Sequence, residues 1–83
     1  MHHLDLMKEF AEVIRGDHPA WAGDRIANGY RFLRRIADDS PEVAEALAED
    51  VERNTSDFIE ETGVSPRTMR LVPMVLRGEV SGV

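Results

Sequence analysis

The run Gly63-Val64-Ser65-Pro66 constrains the fold more than any other segment, because it separates two short helical patterns. Gly63 can adopt a positive φ at little steric cost and so end the first helix. Ser65 can cap the second helix, and Pro66 fits a first helical turn, where its missing N–H would have no partner. The sequence therefore predicts two short helices meeting at a tight corner within residues 55–78, a helix-turn-helix arrangement.

Apolar residues recur at helical spacing in the three segments before this corner. Gly16 is a natural helix stop, and Ser40-Pro41 marks a cap followed by a first turn. We predict helices at about residues 4–15, 19–38, 41–53, 56–62 and 66–77. The second helix has an alternative start at Asp24, and Pro73 with its β-branched neighbours leaves an extended segment over 69–76 open. The expected fold is all-α: one domain over residues 1–83, built as a small bundle of four to five helices.

Gly29 lies within the apolar stripe of the second predicted helix. Glycine costs helix stability relative to alanine, so its use inside a helix calls for a packing reason. We expect another helix to approach the second helix closely at Gly29.

With 83 residues, no cysteine and a formal net charge of -6, the chain can build one modest core without disulfide or thiolate metal support. No apolar run is long enough for a membrane span, so we expect a soluble cytoplasmic protein that does not bind membranes. The acidic body repels phosphate backbones. The last part of the chain is mildly basic, with Arg67, Arg70 and Arg77 against Glu79.

Residue patterns typical of an active site are not evident. No serine or threonine has a histidine at a telling spacing, and the glycines do not form a phosphate-binding loop. Met1-His2-His3 can bind Cu(II) or Ni(II) in a square-planar arrangement, but we favour a frayed terminus. We expect neither an enzyme nor a resident cofactor or metal.

The corner also suggests DNA binding. Aligned by its turn, TSDFIEETGVSPRTMRLV resembles the DNA-reading unit of repressors of the Lac-repressor type. Those units carry an aliphatic pair, a Gly-Val-Ser turn and a recognition helix with an early Thr. The matching residues are Phe58, Gly63, Val64, Thr68, Met69 and Val72. The resemblance implies a DNA-binding transcriptional regulator that contacts DNA through Ser65, Arg67, Thr68, Arg70 and Arg77.

Two residues depart from that family pattern. Ile59 stands where the family usually has Ala, which would prevent the closest crossing of the two helices. Pro73 falls late in the second helix, where it removes a backbone hydrogen bond. DNA binding is therefore our second hypothesis.

A remote alternative rests on Asp39-Ser40, which resembles the phosphopantetheine-bearing Asp-Ser pair of acyl carrier proteins. That resemblance implies modification of Ser40. In the family a bulky aliphatic residue usually follows the serine, whereas Pro41 follows here, and a helix cap accounts for Ser40.

Our leading hypothesis is a small non-catalytic regulatory or adaptor protein that binds another protein, whose identity the sequence does not specify. We also expect self-association as a homodimer, because a small chain without staples has a thin stability margin. The candidate interface residues are aromatic and C-terminal apolar side chains: Trp21, Tyr30, Leu71, Met74, Val75 and Leu76.

Overall fold

The computed structural model describes residues 3–80, and this range contains five α-helices. They are α1 (Leu4–Arg15), α2 (Arg25–Asp39), α3 (Pro41–Arg53), α4 (Thr55–Thr62) and α5 (Pro66–Leu76). No strand occurs within residues 3–80, so the predicted all-α bundle is confirmed. None of these helices is both long and apolar enough to cross a membrane. Met1 and His2, part of the possible Cu(II) or Ni(II) site, lie outside the described residues.

Local capping signals set the helix boundaries. Gly16 ends α1 with a φ of 80°, and the side chain of Asp24 accepts hydrogen bonds from the first backbone N–H groups of α2. The hydroxyl of Ser40 accepts from the Val43 N–H at the start of α3, with Pro41 in the first turn. Each cap satisfies a backbone group that the helix itself leaves without a partner.

The prediction that α2 begins at Pro19 is wrong, and the alternative start at Asp24 is right. Residues 17–24 form turns and loop, and Gly23 has a φ of 97°, a conformation in which a right-handed helix cannot continue. The His18 ring stabilises this loop: Nδ1 accepts from the Ala20 N–H, and Nε2 lies 2.9 Å from a carboxylate oxygen of Glu9. Helix α2 therefore starts only after the loop.

All five helices contribute to one core. Its largest fully buried side chains are Met7, Val13, Leu47, Val51, Phe58, Met69 and Val72. Helix α5 packs against α2, α3 and α4, so it lies in the bundle along one side and leaves its other side to solvent.

The close approach expected at Gly29 is confirmed. A β-carbon added there would lie 2.6 Å from Cγ2 of Ile14 and 3.4 Å from Cε1 of Phe10, both on α1. The absence of a side chain therefore lets α1 and α2 come together, and the two helices form part of the wall of the groove described below.

Candidate interaction surface on the second and fifth helices

The corner between α4 and α5 is ordered by hydrogen bonds on both sides of the turn. Gly63 has a φ of 73°, and its N–H bonds to the Ile59 carbonyl. The buried Thr62 hydroxyl donates to the Phe58 carbonyl at 2.6 Å and accepts from the Val64 N–H at 3.2 Å. Since these bonds satisfy the backbone at the end of α4, the chain can turn sharply into the Ser65 cap of α5.

Helix α5 continues through Pro73 to Leu76, so the extended alternative over 69–76 is wrong. One side of the helix is buried in the core and includes Met69, Val72, Val75 and Leu76. The opposite side is exposed and consists of Ser65, Pro66, Arg67, Arg70, Leu71 and Met74. A residue every three or four positions repeats on one side of a helix, which brings both arginines beside Leu71 and Met74.

Arg67 and Arg70 are exposed and form no ion pair with any residue between 3 and 80. Thr68 is half-buried, and its hydroxyl accepts a hydrogen bond from Ser65. Of the residues expected to contact DNA, these two arginines and Ser65 therefore face solvent. No acidic residue occupies the first turn of α5 to offset their charge or the positive end of the helix.

Arg77 differs from the other candidate DNA contacts because α3 neutralises it. Its Nη1 lies 2.8 Å from Glu52 Oε2, and its Nη2 lies 3.0 Å from Glu45 Oε1. These hydrogen bonds hold the pKa of both carboxyl groups below the usual value. The bonds to Glu52 and Glu45 in turn raise the pKa of the Arg77 guanidinium. Arg77 therefore joins α5 to α3 instead of presenting a free cation.

An apolar groove of about 480 Å³ lies between α2 and α5. Phe10 and Ile14 of α1 contribute to it, together with Val80 after α5. Its remaining lining side chains come from α2 and α5: Ile26, Tyr30, Leu33, Arg67, Thr68, Leu71, Val72 and Val75. Among residues 3–80, Arg67 is the one charged side chain in this lining, although the chain as a whole carries a net charge of -6.

Two exposed aliphatic side chains stand at the groove. Ile26 in the first turn of α2 is 76 % exposed, and Leu71 of α5 is 44 % exposed. A single exposed apolar side chain is ordinary, but two of them at one apolar groove mark a surface that a partner could cover. We call the α2/α5 groove, together with Ile26 and Leu71, the α2/α5 surface.

The six candidate interface residues occupy different places in the structure. Tyr30 and Leu71 line the groove, and Met74 is 41 % exposed on the same helix as Leu71. Val75 also lines the groove, but Val75 and Leu76 are only 7 % and 3 % exposed, so both side chains are part of the core. Leu71 and Met74 are the large apolar side chains that α5 exposes.

Trp21 is engaged elsewhere in the chain. Its ring meets Phe32 edge to face at 6.2 Å, and the Arg35 guanidinium lies 4.9 Å above it. Ile26 was not among the candidate interface residues predicted from the sequence. The structure leaves it exposed because it lies in the first turn of α2, just after the loop.

Two other hypotheses concern the modification of Ser40 and the binding of a metal ion. Ser40 is half-buried, and its hydroxyl caps α3. Among residues 3–80, no three His, Cys, Asp or Glu side chains are grouped so that they could hold a metal ion.

Comparison with known proteins gives no match to a family model, a curated protein or a solved structure. A functional proposal therefore depends on the chemistry of the α2/α5 surface and of the α4–α5 corner.

Proposed function

We propose that this protein is a non-catalytic regulatory or adaptor module that binds a helical segment of another protein at its α2/α5 surface. The observation that carries this proposal is the apolar groove, which the protein leaves open beside the exposed Ile26 and Leu71. An amphipathic helix is the occupant whose shape suits a groove between two helices, because it presents apolar anchors along one side.

Burial of the exposed aliphatic side chains favours the binding of such a partner. Covering an aliphatic side chain removes apolar surface from water and contributes about 1.5–3 kcal/mol when burial is complete. Ile26 and Leu71 together would therefore supply a useful part of the binding free energy. The groove is already formed by α1, α2 and α5, so binding requires little rearrangement of this protein.

The test is selection from a displayed library of helical peptides, using the intact protein as bait. We expect enrichment of peptides with apolar residues at i, i+3 or i+4, and i+7. The Ile26→Asp and Leu71→Gln variants should lose this enrichment, while Val43→Asp should retain it. Val43 is a matched control because it is also exposed (39 %) but lies on α3, outside the groove lining.

A second copy of this chain is another possible occupant of the α2/α5 surface. Sedimentation velocity over micromolar concentrations measures this directly. If self-association uses the surface, Ile26→Asp will shift the protein to monomer and Val43→Asp will not. A monomer at all concentrations, with peptide binding retained, would remove self-association from the proposal and leave the adaptor function in place.

A second candidate function, DNA binding, is favoured by Arg67 and Arg70 on α5, which are exposed and form no ion pair within residues 3–80. Against it, the same corner exposes Asp57, Glu60 and Glu61 on α4, the helix that crosses the DNA backbone in such units. Arg77, which the resemblance adds as a further contact, is neutralised by Glu45 and Glu52. Protein–DNA affinity depends strongly on the number of phosphate contacts, so two arginines on α5, with three exposed carboxylates on the helix that would cross the backbone, make DNA the weaker candidate.

A further inference from the structure

We infer that the helix bound at the α2/α5 surface is acidic, with carboxylates that pair with Arg67 and Arg70. This inference rests on the proposed function, because it specifies the chemistry of the partner at the same surface.

The first support is the absence of carboxylates from the groove. The chain has 16 Asp and Glu residues, yet none of them lines the groove, and the charged side chain that does is Arg67. The surface that is open to a partner is therefore apolar and cationic, in a protein that is otherwise acidic. The net negative charge of this protein repels an acidic segment, whereas Arg67 attracts it at the groove, so charge favours binding at this surface over the rest of the protein.

The second support is the contrast between these two arginines and most of the others. Six of the other seven arginines contact a carboxylate, another side-chain or backbone oxygen, or an aromatic ring: Arg15, Arg25, Arg31, Arg34, Arg35 and Arg77. Within residues 3–80, Arg67 and Arg70 have no such partner. Forming an ion pair with a partner helix would therefore break no contact that the protein already makes.

The third support is the position of both arginines on α5. They are three residues apart, so they lie on one side of the helix, next to Leu71. They also lie in the first half of α5, whose positive end has a neutral Ser65 cap and no acidic residue in its first turn. A partner helix whose apolar stripe is flanked by Asp or Glu matches this surface, where Arg67 and Leu71 both line the groove and Arg70 follows on the exposed side of α5.

The test uses the helical peptide library with the positions that flank the apolar stripe randomised. On the wild-type protein we expect the selected peptides to be enriched about threefold in Asp and Glu at those positions. One exposed ion pair changes a binding affinity by a factor of about this size. On an Arg67→Gln/Arg70→Gln double variant the same apolar stripe should be selected without the acidic excess. Arg53→Gln is the matched control, because Arg53 is exposed and unpaired within residues 3–80 but lies on α3.

The possible results separate the inference from the function on which it rests. If the stripe is selected without acidic flanks, or if the acidic excess persists on the double variant, the acidic partner is wrong and the adaptor function stands. If no helical peptide is enriched, both fail. If the arginines instead support salt-sensitive binding of duplex DNA and no acidic peptide is enriched, the partner is a nucleic acid and the inference is overturned.

Discussion

Gly29 touches Ile14 so closely that a β-carbon on the glycine would lie 2.6 Å from Cγ2 of the isoleucine. This contact holds α1 against α2 and thereby positions Ile14 and Gly29 in the wall of the groove. The branched Cγ2 sits next to the isoleucine backbone, so it cannot move aside as the end of a long flexible side chain would.

The Gly29→Ala variant tests this contact. Alanine raises the helix propensity by roughly 0.5–1 kcal/mol, whereas overpacking costs about 1–3 kcal/mol. We therefore expect a net loss of about 1 kcal/mol in the free energy of unfolding, measured by urea denaturation. In an Ile14→Ala background, where space is available, the same substitution should be neutral or stabilising. A stabilising Gly29→Ala in the wild type would show that the helices do not press together there.

A pH-dependent prediction follows from the pairing of Arg77 with Glu45 and Glu52. Because the pKa of both carboxyl groups is lowered in the folded protein, the ion pairs of Arg77 with Glu45 and Glu52 stabilise the fold at pH values above the ordinary glutamate pKa of 4.5. That stabilisation is lost as the pH falls through the lowered values. Arg77→Gln should therefore lower the melting temperature at pH 7, and the difference from wild type should shrink steadily below pH 4.5.

The control for this pH series is Arg53→Gln, which removes an exposed arginine from α3 that forms no ion pair within residues 3–80. Its melting temperature should follow that of the wild type at all pH values. A difference between Arg77→Gln and wild type that stayed constant down to pH 3 would indicate that Arg77 acts through packing and not through its charge.

Local signals in the sequence were enough to predict most of the fold. The caps at Ser40 and Ser65 and the turn at Gly63 are short-range features, and each lies where the sequence placed it. The start of α2 was the principal error in the helices, because Pro19 and Asp24 both offer a plausible beginning. The loop contact between His18 and Glu9, which helps to choose between them, joins residues on different elements.

The candidate surface was harder to predict, because it depends on contacts between distant residues. Nothing near Arg77 in the sequence indicates that Glu45 and Glu52 will neutralise it across α3. Likewise, Val75 and Ile26 are both aliphatic residues of predicted helices, but only the assembled bundle makes Val75 7 % exposed and Ile26 76 % exposed. Tyr30 and Leu71 were predicted as interface candidates without any signal that they share one groove.

The Ile26→Asp variant separates binding from folding. Ile26 lies in the exposed first turn of α2, where a negative charge is favourable, so we expect the free energy of unfolding to change by less than about 0.5 kcal/mol. Affinity for a helical peptide selected on the wild type should fall at least about tenfold, since a buried aliphatic contact is lost. Fluorescence anisotropy with the labelled peptide measures the affinity. Unchanged affinity would place the binding site away from the α2/α5 surface.

The role of Ser40 can be tested by stability and by modification together. As the cap of α3, its replacement in Ser40→Ala should cost about 1 kcal/mol in the free energy of unfolding. Incubation of the wild type with coenzyme A and a broad-specificity phosphopantetheinyl transferase should leave its mass unchanged in a mass spectrum. A mass increase located on Ser40 would revive the carrier-protein hypothesis.

Selection from random duplex DNA at moderate salt tests whether the α4–α5 corner binds DNA. We expect no sequence to be enriched, because Arg67 and Arg70 are the cations of the corner that form no ion pair within residues 3–80, and the same corner exposes Asp57, Glu60 and Glu61 on α4. If DNA were the ligand, affinity would fall steeply with added salt as phosphate contacts release counterions. An Arg67→Ala/Arg70→Ala variant would then lose binding while its melting temperature stayed close to that of the wild type, since both side chains are exposed.

A Glu60→Gln/Glu61→Gln variant sharpens the comparison between DNA binding and peptide binding. Removing these carboxylates should strengthen DNA binding if it occurs but leave helical-peptide binding at the α2/α5 surface unchanged, because neither residue lines the groove. An enriched DNA site that depends on both arginines would make DNA recognition the function of this protein.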